Sequence, residues 1–270
     1  MSISLRLRTK EKGGMNLFKR ARIIYLLQRY PIEHEHWENA LKALTLVQRM
    51  SAVEKAHLRE MTTLFLHDKN IDGVQGFELN EQMRVLIAMQ ACLPVLSLGL
   101  SLFKGWSHIL IYPDAFQVDR DVSDEFGIVH RDQRLLSGEA WLRGPVILSW
   151  QDIERDMAHW RQGHNVVIHE IAHKLDYLNG SANGMPPLHY SMHSEQWTDT
   201  LSQAYGCLNQ RLQQHHGLCV DPYAATSPAE FFAVFSEYFF CAPEILHEHF
   251  QEVYQMLKLY YRQDTLSRLS

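Results

Sequence analysis

The sequence has no excess of positive charge. Its 26 lysines and arginines stand against 31 aspartates and glutamates, for a formal net charge of -5 and a pI of about 6.3. Without a basic field there is no electrostatic footprint for nucleic acid, which is not an expected partner. Cysteine is scarce: Cys92, Cys207, Cys219 and Cys241 are the four, and no two form a Cys-x-x-Cys pair. A chain of 270 residues can bury enough surface to fold without disulfides, so reduced thiols and a cytosolic location are expected. A secretory signal is missing too, because Arg6, Arg8, Lys10 and Lys12 interrupt the early apolar residues. Residues 85–103 carry no charge, but they include Gln90, Pro94, Ser97, Gly99 and Ser101. That mixture predicts a core helix broken at Pro94 rather than a membrane span.

What is present is an ordinary globular composition, 46% hydrophobic and 21% charged. Residues 1–14 read as a polar leader ending in Gly13-Gly14. Residues 15–30 set Lys19, Arg20 and Arg22 beside Ile23, Ile24, Leu26 and Leu27, the pattern of a basic amphipathic helix lying on the domain surface. The division expected is a leader with this helix over residues 1–30, then one domain over 31–270. Trp37, Leu41, Leu44 and Val47 predict a helix over residues 33–49, and Ser51 to Glu54 is a capping box opening another to about residue 68. Residues 70–76 read as a turn-rich connection. From residue 106 the period changes. Residues 109–112 and 145–150 read as strands, 115–118 and 127–130 as weaker ones, and 152–160 as a polar helix or loop. Residues 181–194 read as a loop and 195–214 as a helix.

The chain is organised around residues 165–180. They contain His169-Glu170-Ile171-Ala172-His173, an H-E-x-x-H. Ile168, Ile171, Leu175 and Leu178 recur at helical spacing, and Asn179-Gly180 is a stop signal. On a helix, His169 and His173 lie one above the other and both imidazoles can reach one metal, in this pattern zinc. Glu170 lies where a general base would take a proton from a water. Asp176 is three residues beyond His173 and is a candidate to orient a ligand imidazole. The extended motif with a third histidine fails, since Asp176 stands where a glycine belongs and Asn179 where that histidine belongs. The other source of a third ligand is a glutamate on a second helix, opened by Ser227 as cap and Pro228 at its first position. Glu230 and Glu237 lie seven apart on one face of it. Glu230 also fits a capping box with Ser227, and spacing alone does not choose between the two. The paired histidines at 215–216 and the His247-Glu248-His249 run read as polar surface. A strand just before the metal helix suggests residues 145–150 as an edge strand on which a peptide backbone would pair.

Beyond these patterns, His169 to Asp176, Asp221-Pro222-Tyr223-Ala224-Ala225 and Pro228 to Val234 closely resemble the Mlc titration factor A family of bacterial zinc peptidases. Gly76 to Asn80, Cys92 to Leu96 and Leu110 to Pro113 resemble it as well. The likeness runs from about residue 35 to near the C-terminus; residues 1–30 differ. It implies an α+β, zincin-like fold of the gluzincin type, related to the catalytic domain of anthrax lethal factor. A helical N-terminal part, a small mixed sheet and the active-site helix would compose it. It further implies that His169, His173 and Glu230 hold one Zn2+ per chain, with Glu170 as general base and Tyr223 stabilising an oxyanion. The implied activity is aminopeptidase-type cleavage of a peptide substrate, although the Gly-x-Met-x-Asn of the large aminopeptidases is absent. The competing reading is a non-catalytic protein that captures an Mlc-like transcriptional repressor of the glucose phosphotransferase system, with zinc structural.

Overall fold

A computed structural model describes residues 17–114, 116–123, 129–136, 138–140, 144–215 and 217–269. The leader expected over residues 1–14 lies outside them. The N-terminal part is helical. α1 (Leu17–Arg29) packs on α4 (Ala52–Asp68); it buries Leu26 but leaves Phe18, Ile24 and Tyr25 exposed. The helix expected over residues 33–49 is divided into α2 (His34–Ala43) and α3 (Thr45–Gln48), because Leu44 turns to an extended conformation while burying its side chain. The box that opens α4 is reciprocal: the Ser51 hydroxyl accepts from the Glu54 amide at 3.2 Å, and the Glu54 carboxylate accepts from the Ser51 amide at 2.8 Å.

The connection expected over residues 70–76 begins instead with a strand, β1 (Asn70–Gly73). Its polar sequence hides it, since it forms only by parallel pairing with β2 (His108–Tyr112). Between them, α5 (Glu81–Cys92) ends one turn before residue 96, stopped by Pro94, and the rest of the charge-free run continues as turns and a short 3-10 helix, Leu100–Phe103. Among the described residues no helix is long and apolar enough to cross a membrane.

β3 (Phe116–Ser123) and β4 (Val129–Leu136) form a separate antiparallel pair, longer than the weak strands expected near them; residues 115, 127 and 128 lie outside the description. β5 (Gly138–Ala140) and β6 (Val146–Ser149) complete the main sheet, in the order β1-β2-β6-β5. β6 runs parallel to β2 and antiparallel to β5. The expectation of an edge strand at residues 145–150 is therefore corrected. β6 is an interior strand with all four residues buried, Trp150 already belongs to α6 (Trp150–Ala158), and β5 is the edge on that side of the sheet. Continuous apolar character marks a strand covered on both sides, and residues 146–148 have it.

α7 (Val166–Asp176) carries the H-E-x-x-H and packs against α5, α6, the β5–β6 side of the sheet and α9 (Pro228–Cys241). α9 is buried over most of its length and is locked by aromatic contacts, with Phe231 stacked on Phe235 at 3.9 Å and Phe232 against Tyr260 and Tyr261. α8 (Ser194–Gln213), α10 (Pro243–His249) and α11 (Gln251–Tyr261) enclose it.

The loop between α7 and α8 is stitched at Gly184. Its amide donates to Asp176 at 2.8 Å and its carbonyl accepts from the Trp197 indole at 3.0 Å. Its φ is +73°, and a Cβ there would meet the Pro228 carbonyl oxygen at 2.4 Å. Gly184→Ala should therefore lower unfolding free energy by about 2–4 kcal/mol, from backbone strain plus the clash. Gly180→Ala, also at positive φ but with nothing within 4 Å, should lose only about 1–2 kcal/mol. Equal losses in denaturant titrations would contradict this placement.

Burial pushes the Asp176 carboxyl up to about 6, against the pull of the Gly184, Met185 and Asn183 amides. A raised carboxyl favours folding while protonated. Its contribution is complete below the unfolded value of 3.8 and is lost as pH rises through about 6, a span of ~3 kcal/mol. Wild type should lose that much stability relative to Asp176→Asn as pH is raised through this window. A pH-independent difference between the two would contradict it.

Candidate metal centre

α7 begins where its sequence offers a cap. The Asn165 side-chain oxygen accepts from the Ile168 amide at 2.9 Å, and Asp156 accepts from the Val166 amide at 2.8 Å. The first amides of a helix have no partner within it, and oxygens of this kind satisfy them. A further carboxylate arrives from α9: Glu237 accepts from the Asn165 backbone amide at 2.6 Å. The start of α9 is equally well defined, by the Ser227 hydroxyl accepting from the Glu230 amide at 3.2 Å with Pro228 behind it.

The Glu230 carboxylate does not fold back on Ser227 as a capping box would require. It turns to α7, and its Oε2 lies 3.1 Å from His169 Nε2 and 3.2 Å from His173 Nε2. The two Nε2 atoms are 3.1 Å apart. Three donor atoms thus meet in a near-equilateral triangle. Among the described residues this is the group of histidine, cysteine and acidic side chains whose atoms converge in this way. Atoms bound at ~2.0–2.1 Å around a tetrahedral ion lie roughly 3.3 Å from one another. Two neutral imidazoles and one carboxylate are also the donor chemistry of a three-ligand catalytic metal site, so the residues fit a metal of zinc's class.

Glu237, the other candidate for third ligand, has a different place. Its Oε1 accepts from His169 Nδ1 at 2.7 Å. A carboxylate there fixes the proton on Nδ1 and leaves the Nε2 lone pair facing the triangle. Asp176, a candidate for the same task, makes no hydrogen bond to either imidazole; its carboxylate holds the Gly184 loop instead. The Nδ1 of His173 is buried without a hydrogen-bond partner.

The protein's own field is strongly polarised here. Burial opposes a charge on His169, but the Glu237 and Glu230 carboxylates outweigh it and hold its pKa well above the usual histidine range. Burial lowers that of His173. Glu230 is pulled far down by the two imidazoles in spite of burial. Glu170 goes the other way: burial pushes it up to about 8. It is 1% exposed, and its Oε2 has no hydrogen-bond partner.

Tyr223 borders the triangle, its ring centroid 6.1 Å from that of His169. It is 37% exposed and rides on a 3-10 turn, Pro222–Ala225, capped by Asp221, whose side chain accepts from the Tyr223 amide at 2.8 Å. The five residues that the resemblance implied for the site, His169, Glu170, His173, Tyr223 and Glu230, thus lie in one region. Asn165, Asp156 and Gln90 were not expected at the site. An asparagine directly before a periodic apolar helix is a legible cap signal; the other two carry none, because their partners are remote in the chain.

The model of the glucose-regulated metallo-peptidase M90 family matches residues 15–262. Mlc titration factor A of Klebsiella pneumoniae is 39% identical over 234 residues, covering 86% of this chain and 87% of the relative. Its namesakes in Salmonella choleraesuis and Enterobacter sp. are 40% and 39% identical over 238 residues, covering 86% of this chain and 88% of each. With most of the chain matched on both counts, this protein belongs to the glucose-regulated metallo-peptidase M90 family, alongside the Mlc titration factor A proteins.

Proposed function

We propose that the protein is a cytosolic zinc-dependent peptidase of the aminopeptidase type. The observation that carries the reading is the pairing of a three-donor triangle, His169, His173 and Glu230, with a buried carboxylate beside it, Glu170, that has an unused oxygen. A purely structural zinc site is closed by four protein ligands and has no use for a base. His169, His173 and Glu230 would hold a zinc ion, which would supply an acidified water and a Lewis acid for a peptide carbonyl. Glu170 would be the base for the attacking water. Its raised pKa suits a group that must accept a proton and then return it to the departing amine. Tyr223, at the rim and partly exposed, offers its hydroxyl to the oxyanion of the tetrahedral intermediate. Glu237 keeps His169 in the tautomer that binds.

The substrate backbone is assigned to β5 rather than β6. β5 is the edge strand of the main sheet that lies against α7, so a peptide pairing with it would cross the metal helix. The exopeptidase preference rests on the family resemblance. A reducing compartment is supported by the four free cysteines.

The relatives' name favours a second reading, in which this chain is a non-catalytic protein that captures an Mlc-like repressor, with zinc structural; the link to the glucose phosphotransferase system rests on the family resemblance. The two are separable. Glu170→Gln should keep zinc near one per chain while cleavage of amino-acid anilides and short peptides falls by roughly 10²–10⁴-fold, the usual worth of a general base. Tyr223→Phe should lower kcat by roughly 10²-fold with zinc content unchanged, as loss of one oxyanion donor does. If wild type and Glu170→Gln bind zinc equally and cleave equally little, the peptidase reading fails and repressor capture stands in its place.

A further inference from the structure

Gln90 is one of the residues that made 85–103 a poor membrane span. In the structure it is 1% exposed, in a stretch of α5 whose other members from Val85 to Cys92 are buried and apolar. A buried amide is unfavourable unless it is hydrogen-bonded, so its partners show what it does. Its Nε2 donates to the Leu86 carbonyl one turn back at 3.2 Å, and its Oε1 accepts from Asn165 Nδ2 at 2.8 Å. That second bond fixes which way the Asn165 amide faces. With Nδ2 engaged by Gln90, Asn165 Oδ1 is the atom turned to the Ile168 amide to cap α7. The backbone amide of the same Asn165 donates to Glu237 Oε2 at 2.6 Å, and Glu237 Oε1 accepts from His169 Nδ1 at 2.7 Å. Asn165 is 2% exposed and Glu237 5%, so bulk water does not compete for these bonds.

We infer that Gln90 is a positioning residue for His169, acting through Asn165 and Glu237, by which the N-terminal helical part holds the metal triangle in register. The inference rests on the reading of His169 as a metal ligand. The chain of bonds joins α5, the cap of α7, α9 and one imidazole. Each member orients the next: the glutamine sets the asparagine amide, the asparagine holds one oxygen of Glu237, and the other oxygen holds the imidazole proton. Loss of the first member leaves Asn165 Nδ2 buried without a partner, and the asparagine, its backbone amide included, is free to shift away from Glu237.

The test uses Gln90→Met, which keeps the length and removes the amide, and Asn165→Ser, which keeps a capping oxygen and removes the donor to Gln90. Zinc affinity is measured by chelator competition, and the stability of the zinc-free proteins by denaturant. The His169 Nδ1 proton is followed by NMR in the zinc-free proteins. Each variant should bind zinc roughly tenfold or more weakly, the loss usual when a partner of a ligand is disturbed. In each the His169 Nδ1 proton should move or broaden, and the double variant should be no worse in zinc affinity than the weaker single. A merely structural role would lower zinc-free stability but leave zinc affinity and the imidazole proton unchanged, and that result overturns the inference, as does additive loss in the double variant. If wild type takes up no zinc, the metal reading itself has failed, and an unmoved imidazole proton still refutes the role of Gln90.

Discussion

The Glu237 carboxylate, buried where α7 and α9 cross, is the interaction on which the site depends. One oxygen takes the backbone amide at the cap of α7 and the other takes the His169 imidazole proton. A carboxylate so deeply placed is unfavourable unless it is fully engaged, and here both oxygens are. The bond to the cap fixes the end of α7 against α9. The bond to His169 fixes the face of the imidazole. Once both are set, Glu230, seven residues earlier on α9, stands opposite His169 and His173 with no further adjustment. The rigidity comes from the aromatic packing of α9, since Phe231, Phe232, Phe235 and Phe239 leave that helix no room to rotate.

The same arrangement explains why two glutamates on one helix face have separate tasks. Both are close to the imidazoles, but one reaches the Nε2 atoms and the other Nδ1. A site built this way divides charge unevenly. Glu230 is held ionised by its contacts, while burial pushes Glu170 up to about 8 against the pull of His169 and Lys174. Two carboxylates beside one three-donor triangle are thereby held in different protonation states by their surroundings.

Much of this was legible in the chain. Helical spacing around His169 and His173, the stop at Asn179-Gly180, the cap at Ser51 and the start at Ser227-Pro228 are local signals, and the structure has each element where they predict it. Pro94 marked the end of α5 in the same way. What could not be read depends on pairing across the chain. β1 is polar and becomes a strand only because β2 lies beside it, and β6 is interior only because β5 returns antiparallel to it. Glu230 and Glu237 share a periodicity, so spacing could not separate them; orientation between α7 and α9 does. Asp176 lies on the histidine side of α7 by count, yet its carboxylate is taken by the Gly184 loop, a contact no periodicity encodes.

The most direct test of the account is X-ray absorption at the zinc edge on the purified, zinc-loaded protein, together with metal analysis. The expected result is one tightly held zinc per chain with only nitrogen and oxygen neighbours, two imidazoles among them, and a coordination number of about four. A sulfur neighbour at ~2.3 Å, a zinc bound only at the surface, or no retained zinc would show that the triangle of His169, His173 and Glu230 does not do what its geometry indicates.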